Sequence, residues 1–260
     1  MKHFALLCLA AAVSTAYAQE PAAKYSDQLI AKAMARHPGV TSLTVHTTPM
    51  ASGAPAQERS ADGAQLVSSL PLLDVSGDPV GSVSVAQRHV AGAEAAAMQE
   101  ATAIRDEMRR HIVNAANLGD PVPYVPNAPT APYAQQLTDQ LMAAHPELLV
   151  MALHVATPRG DGYPIIASSI GRIGKAADSD DMGVIRSGKP ATGAYGANKT
   201  RYGIELPMYD SRGTLIGALS VGYHYKQGDD EAALLRKAQA LEAEMRARIP
   251  SLDRLYGAAL

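Results

Sequence analysis

The chain repeats itself, and this limits what it can fold into more than any other feature. Tyr25–Pro38 (YSDQLIAKAMARHP) aligns with Tyr133–Pro146 (YAQQLTDQLMAAHP) 108 residues later, and at the same spacing His46 meets His154. Thr48-Pro49 then meets Thr157-Pro158. Leu70–Val85 (LPLLDVSGDPVGSVSV) aligns with Leu206–Val221 (LPMYDSRGTLIGALSV) at a spacing of 136. Glu94–Ile112 aligns with Glu231–Ile249 at 137, sharing Glu-Met-Arg at 107–109 and 244–246. Three blocks in one order at nearly fixed spacings imply two copies of one unit. The widening from 108 to 136 means that the second copy holds a stretch, between Pro158 and Glu205, that the first lacks.

Between the copies, 114–132 contains Pro121, Pro123, Pro126, Pro129 and Pro132 without apolar periodicity. Repeated proline predicts a stiff, extended connector, so the units are expected at 19–113 and 133–260. Ahead of them, Lys2, the apolar run Phe4–Val13 and the small-x-small triplet Ala16-Tyr17-Ala18 have the form of a secretory signal. The run is too short to span a bilayer. A signal peptide 1–18, cleaved after Ala18, is therefore expected, with the mature product in the periplasm or secreted. Cleavage removes Cys8, the only cysteine, and Phe4, the only phenylalanine; tryptophan is absent. The mature core must then be aliphatic with tyrosine as its aromatic, held without disulfides. A formal charge of −2 implies no polyanion, so no nucleic-acid partner is expected, and no later segment is apolar and long enough to span a membrane.

Within one unit, Leu137, Leu141 and Met142 mark one face of a helix that His145-Pro146 stops. Leu148–Ala156 and Tyr163–Ser168 read as strands. Asp178–Asp181 reads as a capped helix start ahead of a helix ending at Gly188. Arg201–Tyr209 and Leu215–Tyr225 read as a hairpin about the turn Asp210–Gly213. Alternation places Leu219, Val221, Tyr223 and Tyr225 on one face, and Ile216, Ala218, Ser220 and His224 on the other. Glu231–Ile249 reads as a long helix with Leu234, Leu235, Ala238, Leu241 and Met245 buried. The order predicts an α+β fold, each unit an antiparallel sheet flanked by helices and closed by a long C-terminal helix.

Leu206–Val221 resembles the closing hairpin of extracytoplasmic PAS-like sensor modules, the Cache or PDC family. There a Pro-hydrophobic-x-Asp-x-x-Gly-x-x-Ile-Gly pattern precedes the last strand. The first copy repeats it as Pro71, Asp74, Gly77 and Gly81. Most such modules sit between transmembrane helices of a receptor, which this chain lacks. The resemblance implies a ligand held between the sheet and the segments that cross it, with the extra block Arg159–Arg201 as the lid. A soluble sensory or ligand-binding protein is the function this implies.

The candidate ligand-binding residues are His154, Arg172, Lys175, Asp181, Tyr195, Arg201 and Tyr223. Arg172 and Lys175 stand beside glycines that let a backbone approach, so a carboxylate, an amino acid or another small anion can be held there by charge-assisted bonds. The alternative is a solvated loop whose charges pair with Asp178 and Asp181. Tyrosines serve as pocket walls or as core, and His154 as a pocket or a core group. His37 and His145 end helices, where a cation suits the negative end. No metal-ligand spacing, phosphate loop, dinucleotide fingerprint or Gly-x-Ser-x-Gly is present. The expectation is no catalytic residue, no cofactor and no metal. Two rival readings are a ligand-free accessory protein docking on an envelope receptor or transporter, and a small-molecule enzyme with a scattered site.

Overall fold

The computed structural model describes residues 23–48, 50, 53–196 and 198–260. The expected signal segment, 1–18, lies outside them. The order is β1 (Ala23–Lys24), α1 (Tyr25–Arg36), β2 (Val40–His46), β3 (Ala56–Arg59), β4 (Gln65–Leu73), β5 (Pro79–Arg88) and α2 (Glu94–Arg109). A 3-10 turn (Ala115–Gly119) and β6 (Pro121–Val122) lead to α3 (Pro132–Ala144), β7 (Leu148–Val155), β8 (Ile165–Ser168) and α4 (Ser179–Ser187). There follow β9 (Ala191–Tyr195), β10 (Arg201–Tyr209), β11 (Leu215–His224), α5 (Glu231–Ala247) and α6 (Leu252–Tyr256). The protein is a mixed α+β structure with antiparallel sheets. One sheet has the order β2-β5-β4-β3, the other β8-β7-β11-β10-β9, and β1 pairs with β6.

The repeated residues do the same work in both sheets. Tyr25, Leu29 and Ala33 form the buried stripe of α1, as Tyr133, Leu137 and Leu141 do for α3. Ala101, Ile104 and Met108 bury α2, as Ala238, Leu241 and Met245 bury α5. Stripes spaced three and four residues apart seat each helix on the sheet through apolar burial. The helix-ending histidines meet the repeated glutamate of the later helix: His37 Nε2 lies 3.3 Å from Glu107 Oε2, and His145 Nε2 2.9 Å from Glu244 Oε2. Their role is structural.

The hairpin motif also has a physical reason. Asp74 Oδ1 accepts the Ser76 and Asp78 amides, and Asp210 Oδ1 accepts those of Arg212 and Thr214, so each aspartate closes its turn. Gly81 and Gly217 lie against the neighbouring strand. A Cβ there would sit 2.1 Å from the carbonyl oxygen of His46 and 2.0 Å from that of His154. A register shift recurs too, between Leu72 and Leu73 and between Met208 and Tyr209. Such a bulge turns one residue over. Alternation placed Ile216 with Ala218 and Ser220; it packs instead in the core with Leu219 and Val221.

The stretch present only in the second copy folds as β8 and α4. β9 has its counterpart in β3 at the sheet edge, which starts 135 residues earlier. Tyr195 and Arg201 therefore do not belong to the extra stretch, as the block Arg159–Arg201 implied. α4 begins with Asp178, whose side chain accepts the Asp180 and Asp181 amides, and ends at Gly188 with φ 63°. Val184 and Ile185 pack on Ala218 of β11. α4 thus lies on the sheet face opposite α3 and α5. The corresponding face of the other sheet carries polar Thr44, Ser69 and Ser84, the two serine hydroxyls 3.0 Å apart. A face without a covering helix needs no apolar side chains.

The connector is packed, not merely extended. Asn117 and Leu118 are fully buried, Asn117 against the loop after β8 and Leu118 in the first half's core with Tyr25, Leu29 and Ile112. Asn117 Nδ2 donates to the Ile170 carbonyl (3.1 Å), and Arg172 Nε donates to Asp120 Oδ2 (2.8 Å). Val75, Val113, Leu149, Val150 and Ile170 form a small apolar cluster between the halves.

Candidate functional site

On the α4 face of the five-stranded sheet, a cleft of about 350 Å³ opens between α4 and the seat of the first half. Its floor is Gly203 of β10, Gly193 of β9, and Val150, Ser220 and Gly222 of β7 and β11. Strand glycines leave the sheet bare where another group lies close. Tyr195 takes that space: its ring carbons are 3.3 Å from where a Gly203 Cβ would be, and its hydroxyl 2.6 Å from the Gly222 counterpart. Asp180 from α4 and Glu205 from β10 also line it.

Glu205 is the unusual group. It stands on β10 between Ile204 and Leu206, which face the core, so its own side chain faces the α4 side. Its Oε2 is shielded from solvent and has no hydrogen-bond partner among the described residues. Burial pushes its carboxyl up to about 7, and the charges of Asp181, Asp178 and Asp180 push the same way. An orphaned buried acceptor is costly, and a partner that fills it is correspondingly favoured.

A pH prediction follows with its sign. Below the ordinary glutamate value of 4.5 the carboxyl is protonated folded or unfolded. As pH rises toward 7 the unfolded chain ionises first, so folding stability falls, and the loss is complete above about 7. Because Glu205 keeps partial solvent access, we expect a loss of about 1–2 kcal/mol. In urea denaturation, Glu205→Gln should match the wild type at pH 4.5 and exceed it by that amount at pH 8. Equal pH dependence in both proteins would refute the assignment.

Of the seven residues expected from sequence, only Tyr195 lines this cleft. His154 and Asp181 meet beside it as a buried pair, Nε2 to Oδ2 3.2 Å, pinning α4 to β7. His154 Nδ1 also faces the Tyr163 carbonyl at 3.3 Å, which only accepts, so one proton lies between the imidazole and Asp181. Burial lowers the His154 pKa, against the opposing pull of Asp181. Asp181 further accepts from Ser220 Oγ at 3.2 Å, and its role is to hold α4 in place. Tyr223 sits in the helix-side core at 3% exposure, on the wrong face.

Arg172 and Lys175 do not line this cleft. Arg172 is bound to Asp120 of the connector, and the backbone of Lys175 is engaged, its N–H donating to the Arg172 carbonyl and its carbonyl accepting from Ile165 N. Arg201 reaches across to the first half, binding Asp74, Ser76 and the Val113 carbonyl (2.6 Å). The charged groups of the cleft are carboxylates, so the expected anion is disfavoured there. Glu205 and the glycines carried a readable signal: a charge on an alternating strand, and glycine inside three strands.

Searches against protein-family models and against curated proteins find no match. Among solved structures, the chain is similar to a GAF domain region from Geobacter sulfurreducens PCA, with 14% identity and TM-score 0.34, covering 43% of this chain and 87% of that one. It is also similar to the A. aeolicus nlh2 GAF domain in an inactive state, with 15% identity and TM-score 0.32, covering 48% and 83%. The neighbours are GAF domains. Among the described residues, no helix is long and apolar enough to cross a membrane, and no group of three or more His, Cys, Asp or Glu is placed to hold a metal ion.

Proposed function

We propose that this chain is an exported ligand-binding or sensory protein, periplasmic or secreted, built from two tandem PAS/Cache-like modules. The α4-side cleft of the second module takes a small polar molecule that presents an ammonium or other N–H donor to Glu205 and Asp180. The observation that carries the reading is the shielded, unpaired Oε2 of Glu205 in a cleft of ligand size. Support for export is the Lys2, Phe4–Val13 and Ala16-Tyr17-Ala18 pattern. Support for tandem modules is the shared strand order, with hairpin aspartates and glycines in equivalent places. We read the protein as a binder and not an enzyme.

The first module contributes to the site by position. Val150 of the cleft floor belongs to the cluster that includes Val75 and Val113, and Arg201 stands beneath Tyr195, its guanidinium carbon 5.9 Å from the ring centre. A ligand that moves Tyr195 therefore presses on the joint between the halves.

The test is a thermal-shift screen at pH 8 with ethanolamine, putrescine and arginine against succinate and acetate. An amine at about a hundredfold over its Kd should add about 2.7 kcal/mol of stability, a rise of several degrees. Glu205→Gln should abolish that rise. If no amine moves the transition, or the variant retains the rise, the reading fails.

A further inference from the structure

A second cavity, of about 620 Å³, runs between the halves on the side away from α4. Met142, Pro146, Leu148 and Leu149 give it an apolar wall, while Lys32 and Arg36 of α1 and Arg109 and Arg110 at the end of α2 give it cations. Arg36 is bound to Glu107, and of the two carboxylates present Asp106 is bound to Arg105. Lys32, Arg109 and Arg110 make no ion pair with any described residue, although the chain as a whole has a formal charge of −2. His111 donates Nδ1–H to the Ser169 carbonyl at 2.7 Å, leaving its Nε2 for a ligand.

The fold does not require three of these charges; Arg109 alone keeps its counterpart, Arg246. At the equivalent positions of the second repeat, Lys32 is replaced by Gln140, Arg36 by Ala144 and Arg110 by Ala247, on helices that pack in the same way. Basic residues near a helix C-terminus are favoured by its dipole, but that account covers the end of α2 and not Lys32, mid-way along α1. Unpaired cations converging on an apolar wall suit one class of ligand. We propose that this groove binds a small organic anion, a carboxylate on an apolar body, gripped between the two halves. The site is separate from the Glu205 cleft and needs nothing of that assignment.

Isothermal titration of the mature chain with hexanoate and with benzoate tests it, with hexanamide and inorganic phosphate as controls. Saturable one-to-one binding of a carboxylate is expected, with none of the uncharged amide and weaker binding of phosphate. Lys32→Gln and Arg110→Ala install residues that the second repeat already carries, so folding should be kept, as circular dichroism will report. Each should weaken binding about tenfold, the scale of one charge-assisted contact. Absence of saturable carboxylate binding, equal binding of hexanamide, tighter binding of phosphate, or undiminished affinity in both groove variants overturns the proposal.

Discussion

Replacing Arg201 with methionine is expected to cost about 4 kcal/mol of folding free energy, more than any exposed ion pair in the chain can account for. Arg201 is 6% exposed and its partner Asp74 2%. Removing the guanidinium leaves Asp74 Oδ2 a buried charge with no partner, since only Oδ1 is held by the turn amides. The Val113 carbonyl and the Ser76 hydroxyl lose their donor in the same step. By contrast, the exposed Arg236–Asp230 pair should be worth less than about 1 kcal/mol. Arg201 lies in the second half and its partners in the first, so the variant should also lose single-transition unfolding. Urea denaturation followed by two probes measures both effects. Asp74→Asn in the Arg201→Met background should recover a large part of the loss, because the stranded charge is gone.

Gly217→Ala carries the other large effect, about 3 kcal/mol. The new methyl would be placed 2.0 Å from the His154 carbonyl oxygen, a backbone atom of the strand paired with β11. No rotamer change relieves such an overlap, so β11 and β7 must separate. Gly81→Ala should behave alike against the His46 carbonyl. A control at Gly183, on the exposed side of α4 with nothing near its Cβ position, should be neutral or stabilising, since alanine is the better helix former. Thermal melts of the three variants decide the point. A loss below about 1 kcal/mol at Gly217 would mean that the strands yield easily.

These two positions also explain what could be read from the chain without coordinates. The matched Asp-x-x-Gly and following glycine were visible as a repeat because each meets a backbone constraint that the side-chain alphabet can satisfy in few ways: a turn amide pair, and an approach too close for a Cβ. Helix stripes such as Tyr133, Leu137 and Leu141 were legible for the same reason, one local period serving one burial demand. The site was not. Arg172 binds Asp120 of the connector and Arg201 binds Asp74 of the other half, and sequence spacing carries no information about a partner fifty or more residues away. Ile216 was misplaced because a bulge changes parity without leaving a mark in composition. Glu205 was overlooked among apolar neighbours, although a carboxylate on a strand face that α4 covers is the kind of local inconsistency that functional sites leave.

The arrangement has a mechanical consequence. Arg201, Tyr195 and Val150 connect the cleft to the first half, so occupancy at Glu205 and the fit between halves share contacts. A ligand with different affinity for two such fits would shift their balance, which is the minimum a sensor requires.

Carbon-13 NMR of the Glu205 carboxyl, titrated from pH 3 to pH 9, reads the decisive group itself. A midpoint near 7 in the ligand-free protein, falling by more than about one unit once the amine of largest thermal shift saturates the cleft, is the predicted result. A midpoint at the usual glutamate value, or one that no amine displaces, would contradict it.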